Sequence, residues 1–338
     1  MQKRMGNQTL RLENPPVIRA SAAVGGKKEG EGPLAEYFDL ISKDTYFGKK
    51  SWEDAESEML RACLEIALQK SRLENKELDF IFSGDLLNQC VASSFAVKES
   101  QVPFFGLYGA CSTMAESLAL GAMVIDGGFA ERVCALTSSH FCSAERQFRL
   151  PLCYGGQQMP TAQWTATAAG SIILDAKGEG PRITHLTIGN IVDGGICDAG
   201  NMGAAMAPAA LETLCTHFAE TGRNPDYYDL IVTGDLGSTG FEILIELAGE
   251  AGIDLSSYAN DCGLLIFDRE RQKVKSGGSG CGCSASVLSG YLMEKMRRGD
   301  IHRLLFAATG ALMSTTSALQ GKSVLGISHA VAIENEVM

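Results

Sequence analysis

The chain has 338 residues, 45% of them hydrophobic and 20% charged, with a formal net charge of −11. Such a length can bury a large core in two domains or one duplicated unit, and the composition is that of a globular protein, not a disordered one. The acidic balance excludes nucleic acid as a partner and argues against broad attraction to an anionic membrane face.

An apolar stretch from Pro16 to Val24, bounded by Pro15 and by Gly25-Gly26, predicts the first strand. After a polar loop from Lys27 to Gly32, Ser51 stands before Trp52-Glu53-Asp54 as a helix N-cap with acids in the first turn. The spacing of Met59, Cys63, Ile66 and Ala67 carries that helix to about Ser71. Short apolar runs at Asp79 to Ser83, Pro103 to Leu107 and Val133 to Thr137 have the pattern of strands buried on both faces. Ser138 to Gln163 reads as a long irregular segment with Pro151, Gly155-Gly156 and Pro160, expected to serve as a lid or binding surface. Strands follow at Ala169 to Asp175 and Arg182 to Val192, then a helix near Ala207 to Thr221 and strands at Leu230 to Thr233 and Leu264 to Phe267. Beyond Gly277-Gly278-Ser279-Gly280, a helix from about Ser284 to Arg298 and strands Arg303 to Thr309 and Val324 to Glu334 close the chain. Strands alternating with helices imply an α/β fold.

Two stretches 150 residues apart read almost alike: Leu78-Asp79-Phe80-Ile81-Phe82-Ser83-Gly84-Asp85-Leu86 and Tyr228-Asp229-Leu230-Ile231-Val232-Thr233-Gly234-Asp235-Leu236. Gly109-Ala110-Cys111-Ser112 is likewise answered by Gly282-Cys283-Ser284, and each cysteine lies 22 positions before the next apolar strand, at Val133 or Leu305. The expectation is a two-copy architecture, residues 1–180 and 181–338, with 138–165 covering a pocket.

Eleven cysteines without a framework spacing, several inside apolar patterns such as Cys63 and Cys134, indicate a reducing interior. The start, Met1 to Arg11, has no apolar signal core, and the longest apolar runs are too short and too interrupted by glycine to span a bilayer. A soluble intracellular protein is expected. Cys281-x-Cys283 has no second ligand pair, so no metal is expected, and the glycine run lacks the Lys-Ser/Thr ending of a phosphate cradle.

Cys111 is the sharpest chemical candidate. It follows a strand and a Gly-Ala turn and opens the helix Ser112 to Val124, where unpaired N–H groups would lower the thiol pKa. Its other reading, the ordinary one among eleven cysteines, is a small buried hydrophobe.

The elbow Gly109-Ala110-Cys111-Ser112, the segment Gly280-Cys281-Gly282-Cys283-Ser284-Ala285-Ser286 and Gly310-Ala311-Leu312 resemble the thiolase and ketoacyl-synthase superfamily. That resemblance implies a five-layered αβαβα fold built from two duplicated βαβαβαββ halves, a homodimer, and an acyl-accepting cysteine activated by two second-half residues, His with His or His with Asn. On this chain the first partner loop is Gly234-Asp235-Leu236-Gly237, without histidine, and the second offers Cys281 where a ketoacyl synthase of the third type has Asn. An anionic Asp235 beside Cys111 would raise the thiol pKa. Loss of a single electrostatic partner costs ~10²–10³ in rate, so the resemblance implies the fold without the condensation chemistry.

The segment Ser138-Ser139-His140-Phe141-Cys142-Ser143-Ala144-Glu145-Arg146-Gln147-Phe148-Arg149, with Tyr154-Gly155-Gly156-Gln157 and Pro160-Thr161-Ala162-Gln163-Trp164-Thr165, resembles the stage V sporulation protein AD family. The resemblance implies binding of dipicolinic acid (pyridine-2,6-dicarboxylate) in the thiolase-like cleft, in its uptake into the developing spore and its release at germination. It also implies membrane-protein partners from the same operon, a peripheral place at the spore inner membrane, and no cofactor. Chemically, the backbone N–H groups at Cys111-Ser112 could receive one carboxylate, Arg146 or Arg149 the other in a bidentate pair, and His140 could donate a hydrogen bond. Gln163, Asp235 and Cys281 complete the expected ligand-binding set, and no catalytic residue is assigned. Each has a duller reading: Arg146 with Glu145 as a solvated surface pair, His140 as a satisfied structural histidine. Free acid and calcium chelate both remain open as the ligand, and a Cys111-dependent acyltransferase is the alternative function. His185, His217, His302 and His329 are read as structural.

Overall fold

The structure, a computed structural model, describes residues 3–148 and 159–335. Ten strands build two sheets of the same design. The first contains β1 (Val17–Gly25), β2 (Phe80–Gly84), β3 (Phe104–Gly106), β4 (Arg132–Ser139) and β5 (Ala168–Asp175) in the order β3-β2-β4-β5-β1. The second contains β6 (Arg182–Ile188), β7 (Leu230–Thr233), β8 (Ala259–Asp261), β9 (Arg303–Leu312) and β10 (Leu325–Glu334) in the order β8-β7-β9-β10-β6. Position for position the two orders are the same. In each half the second strand of the order, β2 or β7, pairs in parallel with both its neighbours, and the last strand in sequence, β5 or β10, runs antiparallel between its own. The sheets meet where Val17 pairs with Arg182.

The first sheet carries α1 (Trp52–Ser71) on its outer face, with Met59, Leu60 and Cys63 packed among Ile81, Leu136 and Ile173. Ser51 starts this helix as expected, its Oγ accepting from the Asp54 N–H at 3.2 Å. Between the sheets lies α2 (Thr113–Asp126), and past β4 comes α3 (Phe141–Phe148). The outer face of the second sheet carries α4 (Met202–Thr221) and α5 (Gly237–Glu250). The second central helix begins with α6 (Cys281–Ser286) and runs through a π-helical stretch, Val287–Leu292, to Met293–Arg298. Met114 and Leu118 of α2 and Val287 and Leu288 of that helix form one core with Ile172 of the first sheet and Phe306 and Val331 of the second. The layering is therefore α-β-α-β-α.

The repeated aspartates explain their own recurrence. Asp79 Oδ2 accepts from the N–H groups of Glu131 and Arg132 at 2.7 and 2.9 Å, and Asp229 Oδ2 does the same for His302 and Arg303 at 2.7 and 2.8 Å. Each fastens the start of the neighbouring strand, β4 or β9.

Two sequence expectations are corrected. Leu264 to Phe267 is not a strand: Cys262–Leu265 is a helical turn capped by Asp261, whose Oδ1 accepts from Leu264 N–H at 3.2 Å, and β8 precedes it. Ile266 and Phe267 are core residues, and a short apolar run cannot by its pattern tell a buried turn from a strand. Nor is Ser138 to Gln163 irregular from its start, because β4 runs on to Ser139 and α3 follows.

Candidate functional site

A cavity of about 570 Å³ opens at the elbow between β3 and α2, against Ser279 from the elbow before α6. Leu86, Tyr108, Ala110, Cys111, Ala144, Glu145, Phe148 and Thr165 line it from the first half, and Met202, Met313, Ser314 and Ser317 are among the second-half residues that close it. Ala110 holds φ at +52°, a strained value for a side chain, and thereby turns Cys111 toward the cavity.

Behind Cys111 lies the fully buried carboxyl of Asp235. Its Oδ2 accepts from Ser279 Oγ at 3.0 Å and Gly280 N–H at 2.9 Å, and its Oδ1 from Thr309 Oγ1 at 3.1 Å. The Cys111 thiol is a further donor to it. Burial first, and then the Asp235 charge, hold the thiol well above its ordinary value. Burial also raises the Asp235 carboxyl itself, against the pull of its donors. Cys281 is fully buried next to Cys111 and donates its thiol to Ser138 O at 2.9 Å, with its own pKa driven up by burial. Both thiols are thus held in the protonated, weakly nucleophilic form.

A second acidic group lies under α3. Glu56 Oε1 accepts from Ser138 Oγ at 3.0 Å and Oε2 meets Ser143 Oγ at 2.6 Å, while Ser143 Oγ also donates to His140 O at 3.0 Å. Burial, then the neighbouring Asp85 charge, push Glu56 up to about 8. The α3 wall of the cavity is therefore fastened to α1 through a carboxyl that stays neutral.

Of the expected ligand-binding residues, Cys111 lines the cavity. Asp235 and Cys281 stand one layer behind it, with their polar atoms already engaged. Ser112 is turned away: its Oγ donates to Gly109 O at 2.7 Å and its N–H goes to the same carbonyl at 3.2 Å, so the elbow does not present that N–H to a carboxylate. His140 is corrected to a structural residue, because Nε2 bonds Thr45 O at 2.9 Å and Nδ1 accepts from Cys142 N–H at 3.2 Å, with burial keeping the ring neutral. Arg146 is corrected to a surface residue, ion-paired to Glu53 with its guanidinium 5.2 Å from the Trp52 ring. Its partner is not the Glu145 expected from sequence. Gln163 is buried behind the site, where Nε2 donates to Asp235 O and to Gly278 O. Arg149 and the Tyr154-Gly155-Gly156-Gln157 stretch lie outside the described residues. Among the described residues no lysine or arginine lines the cavity.

Sequence reasoning missed Tyr108, Phe148 and Ser279. A signal existed for Phe148, since Phe141, Ala144 and Phe148 fall on one helical face. None existed for the Glu56–Ser143 contact, which joins residues 87 positions apart.

A profile of the family described as Stage V sporulation protein AD matches residues 6–334. The curated Stage V sporulation protein AD of Bacillus subtilis (strain 168) is 40% identical over 332 residues, covering 98% of each chain. Among solved structures, 3-oxoacyl-acyl-carrier-protein synthase III from Aquifex aeolicus VF5 superposes with a TM-score of 0.57 at 14% identity, over 94% of this chain and 99% of that one. Cerulenin-bound OleA of Xanthomonas campestris gives 0.60 at 12% identity, over 96% and 97%. At such identities the likeness to these two structures establishes the thiolase-like fold.

Proposed function

The chain belongs to the stage V sporulation protein AD family, and on that premise we propose that it is a non-catalytic binding protein for dipicolinic acid, serving uptake into the developing spore and release at germination. The observation that carries the reading is the Asp235 carboxyl behind Cys111, where a condensing enzyme needs a histidine. A carboxylate there suppresses the thiolate and offers no hydrogen bond to a thioester carbonyl. The cavity, about 570 Å³, is of the size that small ligands occupy, with the Tyr108 and Phe148 rings suited to a planar acid and Thr165, Ser314 and Ser317 as polar points on an apolar wall. A dianion does not meet Asp235 directly, because that carboxyl is enclosed by Ser279, Gly280 and Thr309.

The same reading extends to partners and place. The protein works beside membrane proteins of its operon, peripheral to the spore inner membrane from inside the sporulating cell; no helix among the described residues is long and apolar enough to cross a membrane. A homodimer is supported by β3, an edge strand whose Phe105 is 49% exposed, close in sequence to Tyr108 at 52%. Sedimentation velocity at two concentrations tests it, and a monomer at both removes it.

The ligand is tested by isothermal titration with dipicolinic acid, with and without calcium, on wild type and Cys111→Ala. Saturable heat with no acylation of Cys111 by acyl-CoA supports the reading, and the calcium dependence identifies the bound form. Absence of heat in both conditions overturns it. The second reading, an acyltransferase, is favoured by the strained elbow at Ala110 and requires a mass increase on Cys111 after incubation with acyl-CoA.

A further inference from the structure

The segment from Asp268 to Ser276 alternates: Gln272, Val274 and Ser276 are buried, while Arg269, Arg271, Lys273 and Lys275 are exposed. Beside it runs the loop carrying Lys27 and Lys28. Two reciprocal bonds clamp the strips together: Lys28 Nζ donates to Gln272 O at 2.8 Å, and Gln272 Nε2 donates to Lys28 O at 2.7 Å. Arg271 adds a bond to Glu31 O at 2.7 Å. The result is a rim of five exposed cations, Lys27, Arg269, Arg271, Lys273 and Lys275, beside the half-buried Lys28, whose Nζ lies 4.1 Å from the centre of the Trp164 ring; the exposed carboxylates of Glu31, Asp268 and Glu270 face it. Among the described residues only Arg271 of the six is ion-paired, to Asp268 at 3.7 Å. Glu29, the other acid of these loops, is buried, and burial raises it to about 7.

A second observation concerns backbone, not charge. Lys273 and Lys275 hold φ at +54° and +55°. Glycine would occupy both positions without strain, whereas a side chain there is disfavoured. Both positions therefore present long cationic side chains to solvent from backbone that glycine would also accept.

We propose that this rim is a docking surface for an anionic lipid headgroup plane. The whole chain, at −11, is repelled by such a surface, but screening confines the interaction to about 8 Å, so the local face decides. A shaped protein partner would call for an apolar or aromatic anchor, and none of the large exposed hydrophobic side chains lies in these two strips. The chain that leaves the rim runs into the cavity wall: Trp164 N–H donates to Gly277 O at 2.8 Å, and Gly278–Ser279 then pair with Trp164–Thr165, whose Thr165 lines the cavity with Ser279. Docking here does not depend on which small molecule the cavity holds, so this inference and the dipicolinate reading fail separately.

The test is cosedimentation of the full chain with vesicles of phosphatidylglycerol and phosphatidylcholine in equal parts, against vesicles of phosphatidylcholine alone. Wild type should bind the first and not the second, and added salt should release it. Each lysine near an anionic surface contributes about a factor of five, so Lys273→Gly with Lys275→Gly weakens binding roughly thirty-fold. Because both substitutions relieve strained backbone, the melting temperature of that variant should not fall, which separates lost binding from lost folding. Lys98→Gln with Lys322→Gln makes the same charge change elsewhere and should leave binding intact. Equal binding to both vesicles, binding to neither, or equal losses in the two double variants overturns the proposal. Binding to polyglutamate but not to anionic vesicles also overturns it and assigns the rim to an acidic protein.

Discussion

Replacing Glu56 by glutamine is expected to leave the protein unchanged in mild acid and to stabilise it in mild base. In the folded chain the Glu56 carboxyl is raised from 4.5 to about 8, by burial and then by the Asp85 charge. The contribution of a raised carboxyl to stability is fully present below its unfolded value and is lost as pH rises through the folded one. Each pH unit in that window of about 3.5 units costs about 1.4 kcal/mol, so wild type gives up about 5 kcal/mol at this one residue. Glutamine matches the neutral acid: its oxygen can accept from Ser138, and its NH₂ can donate to Ser143 Oγ while Ser143 donates on to His140 O. For a chain of this length 1 kcal/mol moves Tm by roughly 1–2 °C, so the variant should gain about 5–10 °C over wild type toward the basic end and nothing near the acidic end. The assay is thermal unfolding of both proteins at matched pH steps, which cancels the titrating groups that do not interact with Glu56. Parallel Tm curves would refute the reasoning, since they would mean that Glu56 is equally ionised in the folded and unfolded chains.

Burial first and then the Asp235 charge hold Cys111 protonated; Asp235→Asn removes the second, and each unit by which the thiol pKa falls exposes about tenfold more thiolate; iodoacetamide labelling of Cys111, followed by peptide mass, should accelerate, and an unchanged rate counts against the electrostatic argument. His217 is lowered from 6.5 to about 3 by burial and bonds Thr187 and Tyr228, so its contribution is whole above the unfolded value and is lost as pH falls toward the folded one. His217→Gln should therefore shift the acid-unfolding midpoint downward, and an unmoved midpoint would contradict this. Gly282→Ala would place a methyl 2.1 Å from Ala168 O and 2.7 Å from Ser139 N, both backbone; a loss of roughly 3 kcal/mol or more by denaturant titration is expected, and a loss under 1 kcal/mol would show that α6 can shift away from the first sheet.

What could be read in the sequence was what repeats or alternates. The Asp79 and Asp229 stretches revealed the duplication because both aspartates do the same local work at equivalent strands. Leu230–Thr233 was recovered to the residue because a strand buried on both faces leaves a sharp apolar run. The same cue misread Leu264 to Phe267, where apolarity reflects core position in a turn. The site was harder for a physical reason. Arg146 and His140 look like ligand groups by type, but the choice between pocket and surface depends on Glu53 and Thr45, each more than ninety positions away. Cys111 was found because its elbow is local: strand, turn and helix lie within a few residues of one another.

The duplication also shows how one residue type serves two ends. Asp85 and Asp235 close equivalent strands and both are fully buried. Asp85 spends its oxygens within its own half, on Leu87 N–H and on the N–H and Oγ of Ser93, and so shapes the turn that delivers Leu86 to the cavity. Asp235 instead gathers donors from several elements: Thr309 on β9, Ser279 and Gly280 at the second elbow, and Cys111 at the first. A histidine there could shuttle a proton at neutral pH, whereas an acceptor surrounded by donors ties the two elbows into one rigid floor. Such a floor suits a pocket that must keep its shape while a ligand enters and leaves. It does not suit one that must move protons, and the Asp235→Asn labelling experiment separates the two directly.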